Sequence, residues 1–301
     1  MPSYLTKIIS SPLAWIESDE VREQIWEAAS QRLSERSGRT AMGNLTRKFR
    51  IPLLDTSSTT DSADLQRDAE IVLHEPAMTA DNLGLKTWAS SFLLAKRLVL
   101  LRPSLPKLQP YAQVLELGAG TGLVGLAAAV ILHRPVILTD LPEIVPNLER
   151  NVEANAALLS THDAFAEATI LDWTMPTKLE TSSSESLHQG FPLILAADPI
   201  YSPNHPRMFV ETIEAQLAKD PDARVVIELP LREAYITERG DLVLRMDELG
   251  LQRVDEGEEV GYDDWSDDKD GEQLAEVKCW WTVWGWQSDF LEAPTDVAAP
   301  R

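Results

Sequence analysis

The chain has 301 residues, which is long for one minimal domain and short for two full ones. Its 48 acidic residues outnumber its 27 basic ones, and the net charge of −21 excludes a protein that grips nucleic acid or an anionic membrane over a wide face. A single cysteine, Cys279, excludes an internal disulfide framework and a cysteine-based zinc cluster.

The sequence predicts neither a signal peptide nor a membrane-spanning helix. The first ten residues lack the basic end and the long apolar stretch of a signal peptide. The longest apolar run, 123–132, has ten residues, whereas a spanning helix needs about 18. We therefore expect a cytoplasmic protein and leave the nucleus open as a second location.

The first region, 1–84, is expected to be a mainly helical extension. Apolar residues recur at helical spacing across 19–35. The polar stretch 55–64 predicts a loop, and 70–75 predicts a short strand.

The second region, 85–230, alternates between predicted strands and helices. Apolar strands are expected at 113–117, 136–139, 168–171, 191–197 and 224–229. Helices are expected at 87–102, 123–133, 142–158 and 204–219, with a polar loop at 177–190. Apolar strands without alternation, joined by helices, indicate an α/β fold whose parallel sheet is covered on both faces. In such sheets ligands bind beyond the carboxyl ends of the strands.

The third region begins with a predicted helix over 232–249 and a strand over 251–255. The segment 255–272 then carries ten acidic residues and one basic residue, a net charge of −9. It is interpreted either as a solvated loop or as a landing site for a basic partner. A last strand over 278–286 contains four tryptophans, which favours a core or sheet-face position. Residues 288–301 are expected to form a disordered tail.

Three glycines connect the first central strand to the next helix. The segment 114–125, VLELGAGTGLVG, places Gly118, Gly120 and Gly122 directly after the strand. Glycine is needed where the backbone turns sharply or approaches a ligand closely. The spacing matches neither the dinucleotide fingerprint nor the Gly-Lys-Ser/Thr phosphate loop. The turn therefore predicts a closely held ligand, with a bare strand–helix connection as the alternative.

Acidic residues stand near the ends of three strands. Glu116 precedes the turn and suits a cation or an amino group. Asp140 is placed to hold two ribose hydroxyls, although it would also suit a helix N-cap. Asp172 and Trp173 end the third strand, where the indole could pack on a purine or belong to the core. A nucleoside with a positively charged, amino-acid-like group fits this set, and S-adenosylmethionine has that structure.

Six segments then resemble S-adenosylmethionine-dependent methyltransferases of the seven-strand class, and more closely the family-16 group of protein-lysine methyltransferases. These segments are LKTWASS (85–91), VLELGAGTGLVG, TDL (139–141), NVEAN (151–155), Asp172-Trp173 and AADPIY (196–201). The resemblance implies a Rossmann-like, mostly parallel sheet of seven strands with helices on both faces, in a methyltransferase domain over 85–287. It is strongest to fungal members linked to the methylation of translation elongation factors.

The resemblance also implies which residues form the site. The cofactor S-adenosylmethionine would be lined by Trp88, Glu116, Gly118, Gly120, Asp140, Trp173 and Ala197. Asp198 and Tyr201 would face the substrate as the catalytic pair.

The segment Asp198-Pro199-Ile200-Tyr201 suggests how an amine would be held. A carboxylate and a phenol after the fourth strand can position a lysine in line with the methyl group. Because a carboxylate stabilises the ammonium form, Asp198 is expected to capture and orient lysine, with the proton leaving to water or through Tyr201. The alternative is that Asp198 caps a turn and Tyr201 packs on the sheet.

Three hypotheses follow for function. The first is a monomeric protein-lysine methyltransferase acting on a protein such as an elongation factor, without nucleic-acid or membrane partners. The second is a small-molecule N-methyltransferase, and the third is a non-catalytic binding module of the same fold. No metal is expected, because the five histidines show no ligand spacing. His205 remains open between a base and a surface residue, and Glu228 between a pocket residue and a plain strand end.

Overall fold

A computed structural model gives the structure of 44–53, 68–76, 83–109, 111–179, 190–263 and 275–291, with single residues and short runs between 7 and 26. Several predicted features lie outside these described residues. They are the loop at 55–64, most of the helix at 19–35, most of the loop at 177–190, and the stretches 264–272 and 292–301.

A small two-stranded sheet precedes the main sheet. Strand β1 (Leu45–Pro52) pairs antiparallel with β2 (Asp68–Glu75) along its whole length. The sequence predicted the second strand but missed the first, within an extension expected to be mainly helical. Phe49 and Ile51 are buried and alternate with exposed charged residues, which is the pattern of a half-buried strand.

Two asparagines of the NVEAN segment hold this small sheet in place. The Asn155 side chain accepts from the backbone N–H of Val72 at 2.9 Å and donates to the carbonyl of Val72 at 2.7 Å. Asn151 Oδ1 accepts from the N–H of His74 at 2.8 Å. These amides satisfy backbone groups of β2 that a neighbouring strand would otherwise pair.

Seven strands form the central sheet, as predicted. The parallel strands are β3 (Val114–Leu117), β4 (Val136–Asp140), β5 (Ala166–Ile170), β6 (Leu193–Ala197) and β7 (Arg224–Pro230). Strand β9 (Ala275–Trp286) pairs antiparallel with both β7 and β8 (Leu251–Asp263), which completes the order β5-β4-β3-β6-β7-β9-β8. The strand order reverses between β3 and β6, so a crevice opens beyond their carboxyl ends.

Helices cover both faces of this sheet, which confirms the predicted fold class. They are α1 (Ala89–Leu101), α2 (Leu123–Leu132), α3 (Val145–Ala154), α4 (Ala156–Thr161), α5 (His205–Gln216), α6 (Ile236–Glu248) and the short α7 (Ser288–Leu291). One buried core joins α1 and α2 to the sheet, and a second joins α5 and α6 to it. Among the described helices, none is long and apolar enough to cross a membrane.

Two predicted helices and the tail differ from the structure. The helix predicted over 142–158 is α3 and α4, because Asn155 leaves helical geometry at φ −103° and ψ 9° and bonds to β2. The helix predicted over 232–249 begins with a short 3-10 turn, Glu233–Tyr235, before α6. Residues 288–291, predicted as part of a disordered tail, form α7.

The acidic segment is a strand, and not a loop, as far as Asp263. Strand β8 continues past the predicted end at Asp255 and pairs with β9 up to Ala275. Glu256 and Glu258 are exposed, whereas Glu259 is partly buried, so the side chains alternate across the strand. Charged side chains are common on an edge strand because they reach water and discourage further pairing.

Candidate active site

A cavity of about 520 Å³ lies beyond the carboxyl ends of β3, β4 and β6. This volume is typical of small-molecule sites, which span roughly 300–1,000 Å³. Eight of the nine predicted site residues line it, namely Trp88, Gly118, Gly120, Asp140, Trp173, Ala197, Asp198 and Tyr201. Residues that are far apart in the sequence therefore meet at one crevice.

The glycine turn approaches the cavity with a backbone that other residues adopt rarely. Gly118, Gly120 and Gly122 all have positive φ, at 66°, 57° and 89°. A Cβ on Gly118 would lie 3.2 Å from the Trp173 ring, and one on Gly120 would lie 2.8 Å from the carbonyl oxygen of Gly84. Glycine is required at both positions, because the backbone has positive φ and neighbouring atoms leave too little room for a Cβ.

Asp140 is tied to the glycine turn. Its Oδ2 accepts from the N–H of Gly120 at 2.7 Å, and its Oδ1 accepts from the N–H of Leu141 at 2.7 Å. Helix α3 begins only at Val145, so Asp140 is not its N-cap. Burial raises the pKa of Asp140 to about 6, although these two hydrogen bonds act to lower it.

Glu116 differs from its predicted place, because its side chain does not line the cavity. It is buried behind the turn, where its Oε2 accepts from the N–H of Gly125 at 2.8 Å in the first turn of α2. A Cβ on Gly125 would collide with this carboxyl oxygen. Burial raises the pKa of Glu116 well above its usual value. The carboxyl group thus supports the turn from behind.

The segment before α1 is held from two sides. Glu75, at the end of β2, accepts from the N–H of Thr87 at 3.0 Å. Asp263, at the end of β8, accepts from the N–H of Ala89 at 2.9 Å, an amide that α1 itself leaves unpaired. Trp88 lies between these anchors, and the Lys86 Nζ is 4.7 Å from its ring centroid. Its indole is therefore presented to the cavity from a fixed backbone.

Trp173 forms a wall between the cavity and the second core. Its ring centroid lies 5.2 Å from that of Phe209 in the core and 6.1 Å from that of His205. The two interpretations of Trp173, as core residue and as ligand wall, are both met by this one position.

Asp198 has an unusual backbone and a cationic partner. Its φ is +52°, and its N–H donates to the carbonyl of Glu228 at 2.8 Å. Arg232 Nη2 lies 3.0 Å from Asp198 Oδ2, and Nη1 lies 3.3 Å from Oδ1. Burial raises the pKa of Asp198 to about 6, although Arg232 opposes that shift. A non-glycine residue in this conformation often marks a functional site.

Tyr201 and His205 stand together at the mouth. Tyr201 is 44% exposed, and its ring meets the His205 ring edge-on with centroids 4.2 Å apart. His205 begins α5 and lines the cavity, so it is not simply a surface residue. Burial lowers the pKa of His205, which keeps its imidazole neutral near pH 7.

The sequence profile of the lysine methyltransferase family matches residues 66–236, more than half of the chain. This match contains the glycine turn, Asp140, Trp173 and the Asp198–Tyr201 segment. The chain belongs to the lysine methyltransferase family.

Relatives of this methyltransferase are found in fungi and vertebrates. The protein-lysine N-methyltransferase rrg1 of Schizosaccharomyces pombe is 35% identical over 282 residues, which cover 94% of this chain and 84% of rrg1. EFM2 of Saccharomyces cerevisiae is 37% identical over 268 residues, and the match covers 82% of this chain but only 58% of EFM2. EEF1A lysine methyltransferase 3 of Xenopus tropicalis is 28% identical over 125 residues, or 42% of this chain and 50% of that protein.

Arg232 belongs to this methyltransferase site but is not among the residues predicted from the sequence. Arg232 lies two residues beyond the end of β7 and lines the cavity, and its guanidinium carbon lies 5.2 Å from the Trp88 ring centroid. Its position just beyond a parallel strand was the available signal. Glu228, two residues before the end of β7, does not line the cavity. Its side chain is fully buried, and burial beside the Glu259 carboxylate raises the pKa of Glu228 to about 9.

Proposed function

We propose that this methyltransferase transfers a methyl group from S-adenosylmethionine to the side-chain nitrogen of a lysine in a protein substrate. The observation that carries the proposal is one cavity lined both by the glycine turn with Asp140 and by Asp198 with Tyr201. The first pair suits a nucleoside ligand, and the second suits an amine. A family that is defined by lysine methylation supports the same reaction.

The cofactor side of the cavity fits an adenosyl sulfonium ligand. Gly118 and Gly120 line the cavity without a side chain, and Asp140 offers carboxylate oxygens for ribose hydroxyls. Trp173 provides an aromatic face for the base, and Asp172 a carboxylate at the same wall. When bound, S-adenosylmethionine would supply an electrophilic methyl group and a thioether leaving group.

Asp198, Arg232 and Tyr201 would bind and position the substrate lysine. Only the neutral amine has the lone pair that forms the new carbon–nitrogen bond. Because Arg232 already balances the charge of Asp198, the carboxylate can accept an N–H from the amine without strongly favouring the ammonium form. The half-exposed Tyr201 would flank the side chain at the mouth, where the released proton can reach water.

A translation elongation factor is the substrate that the relatives favour. EEF1A lysine methyltransferase 3 of Xenopus tropicalis carries such a factor in its name, and EFM2 and rrg1 are named as protein-lysine methyltransferases. A net charge of −21 also suits association with a basic, lysine-bearing surface. The proposed location of the reaction is the cytoplasm.

Two measurements on the purified chain test this proposal. Titration calorimetry should show binding of S-adenosylmethionine, and a chain that does not bind it would be a non-catalytic module. Incubation of methyl-labelled S-adenosylmethionine with recombinant, unmethylated elongation factors should then place label on a lysine. Label on none of these factors, with cofactor binding intact, would refute the choice of substrate and leave the cofactor assignment standing.

A further inference from the structure

A groove of about 300 Å³ lies between the first turns of α6 and the β8–β9 hairpin. We call it the α6 groove. Its apolar lining is Leu231, Ile236, Val243 and Trp280, and its polar edges are Arg239 and Glu258. Ile236 is 64% exposed, although an isoleucine on a helix usually turns toward a core.

The α6 groove begins where the active-site cavity ends. Arg232 and Tyr235 line the cavity, whereas Leu231 and Ile236 line the groove. Only the single 3-10 turn Glu233–Tyr235 separates the two. Residues 231–235 form the rim between the cavity and the groove. The rim is fixed in position, because the N–H of Leu231 donates to the carbonyl of Lys278 at 2.7 Å. A peptide that places a lysine in the cavity would cross the rim onto the groove.

Gly240 keeps the α6 groove open. It lies in the middle of α6 with ordinary helical surroundings, and a Cβ added there would meet nothing within 4 Å. Glycine is the least favourable helix residue after proline, so this position departs from what helix stability alone would select. The missing side chain leaves space beside Ile236 and Val243 into which an apolar group of a partner can enter.

The polar edges of the α6 groove carry one charge of each sign, from Arg239 and Glu258. The Arg239 guanidinium donates to the carbonyl of Arg232 at 2.7 Å, so one of its N–H groups points into the rim. On the opposite edge, Glu258 is exposed on β8. The neighbouring Glu256 accepts from the Trp280 indole N–H at 2.9 Å, and this bond fixes the ring that forms the groove floor. A basic side chain would meet Glu258 beside an apolar floor.

We propose that the α6 groove binds the segment of the protein substrate that neighbours the target lysine. The segment would place an apolar side chain beside Gly240 and a basic one near Glu258. This proposal rests on the proposed function, and it adds the feature by which a folded protein is distinguished from a free amine. Binding there raises the local concentration of the lysine at Asp198 without touching the reacting atoms.

Gly240→Leu tests the proposal with little risk to folding. The leucine fills the groove from a position with free space, and it should raise the melting temperature because leucine favours a helix. The matched control is Thr237→Leu, which adds the same side chain at an exposed position of α6 that does not line the groove. Both variants are compared with the wild type in labelling total protein from eukaryotic cells treated with a methylation inhibitor, over a range of protein concentrations.

Gly240→Leu should raise the protein concentration needed for half-maximal labelling by about tenfold or more, with the maximal rate retained at high concentration. Glu258→Lys should act in the same direction, and Thr237→Leu should match the wild type. Equal half-maximal concentrations for Gly240→Leu and wild type would overturn the docking proposal. A lower melting temperature in Gly240→Leu would also overturn it, because the groove would then be filled from within the protein. Absence of labelling by the wild type would instead refute the proposed function, and the docking proposal with it.

Discussion

Arg232 pairs with Asp198 through both terminal guanidinium nitrogens, at 3.0 Å and 3.3 Å, at the point where the reaction would occur. The pair is shielded, since the Asp198 side chain is only 7% exposed. A carboxylate that already has a cation holds an incoming ammonium less firmly. The site is therefore built to accept a neutral amine, which is the form that can be methylated.

Arg232→Gln removes this cation and should shift the pH dependence of methyl transfer. The pKa of Asp198 is about 6 with Arg232 present, and without it the carboxylate is ionised only at higher pH. A lysine bound beside an unpaired carboxylate also keeps its proton to higher pH. Both effects should move the rising limb of the pH–rate profile upward by at least about one pH unit.

Arg232→Lys is the matched control for the charge. It should return the pH–rate profile part of the way to that of the wild type, because lysine restores the positive charge but not the two-point contact. Superimposable profiles for the wild type and Arg232→Gln would show that the ion pair serves only the fold.

Asp198→Asn should lower the rate of methyl transfer by at least about 100-fold while S-adenosylmethionine still binds. Asparagine tolerates the positive φ of this position, so the substitution removes the charge and keeps the backbone. Single-turnover kinetics and calorimetry on the same preparation separate the two effects. If cofactor affinity falls along with the rate, Asp198 belongs to the cofactor site or to the fold.

Gly118→Ala should abolish cofactor binding and, through it, activity. The new methyl group would sit 3.2 Å from the Trp173 ring in a backbone with φ +66°, a conformation that glycine adopts freely and alanine only with strain. Calorimetry with S-adenosylmethionine provides the measurement. Gly240→Ala is the matched control, because that glycine has free space around it, and its cofactor affinity should equal that of the wild type.

Glu228→Gln should stabilise the protein increasingly as pH rises. The pKa of Glu228 is raised from 4.5 to about 9 in the folded state, so between these values the folded chain binds a proton that the unfolded chain lacks. The free energy of unfolding then falls with pH by up to about 1.4 kcal/mol per unit in the wild type. Urea unfolding at several pH values between 5 and 9 should show the two proteins diverging. Parallel curves would mean that Glu228 is ionised in the folded protein.

Local patterns predicted the central part of the fold well. An apolar strand, three spaced glycines and the start of a helix lie within twelve consecutive residues, 114–125, and the structure has each where the sequence placed it. Strand β1 was missed because only three of its eight residues are apolar and three others are charged. The acidic part of β8 was predicted as a loop for the same reason, although pairing with β9 decides its conformation.

Contacts between distant residues could not be predicted. Asp263 pairs with the N–H of Ala89 across 174 positions, and Asn155 pairs with Val72 across 83. No periodicity in a single sequence links such residues. Even within a recognised motif, the direction of a side chain was not predictable. The position of Glu116 beside the turn was predicted, but its side chain points away from the cavity because of how α2 packs.

The most direct test of the account is to find which atom receives the methyl group. The purified chain is incubated with methyl-labelled S-adenosylmethionine and a eukaryotic cell extract, proteins are separated from small molecules, and the labelled protein is hydrolysed to amino acids. We expect label in the protein fraction, released as methyllysine, and none when Asp198→Asn replaces the wild type. Label confined to small molecules would contradict it, because the acceptor would then be a metabolite and the site would serve a different reaction.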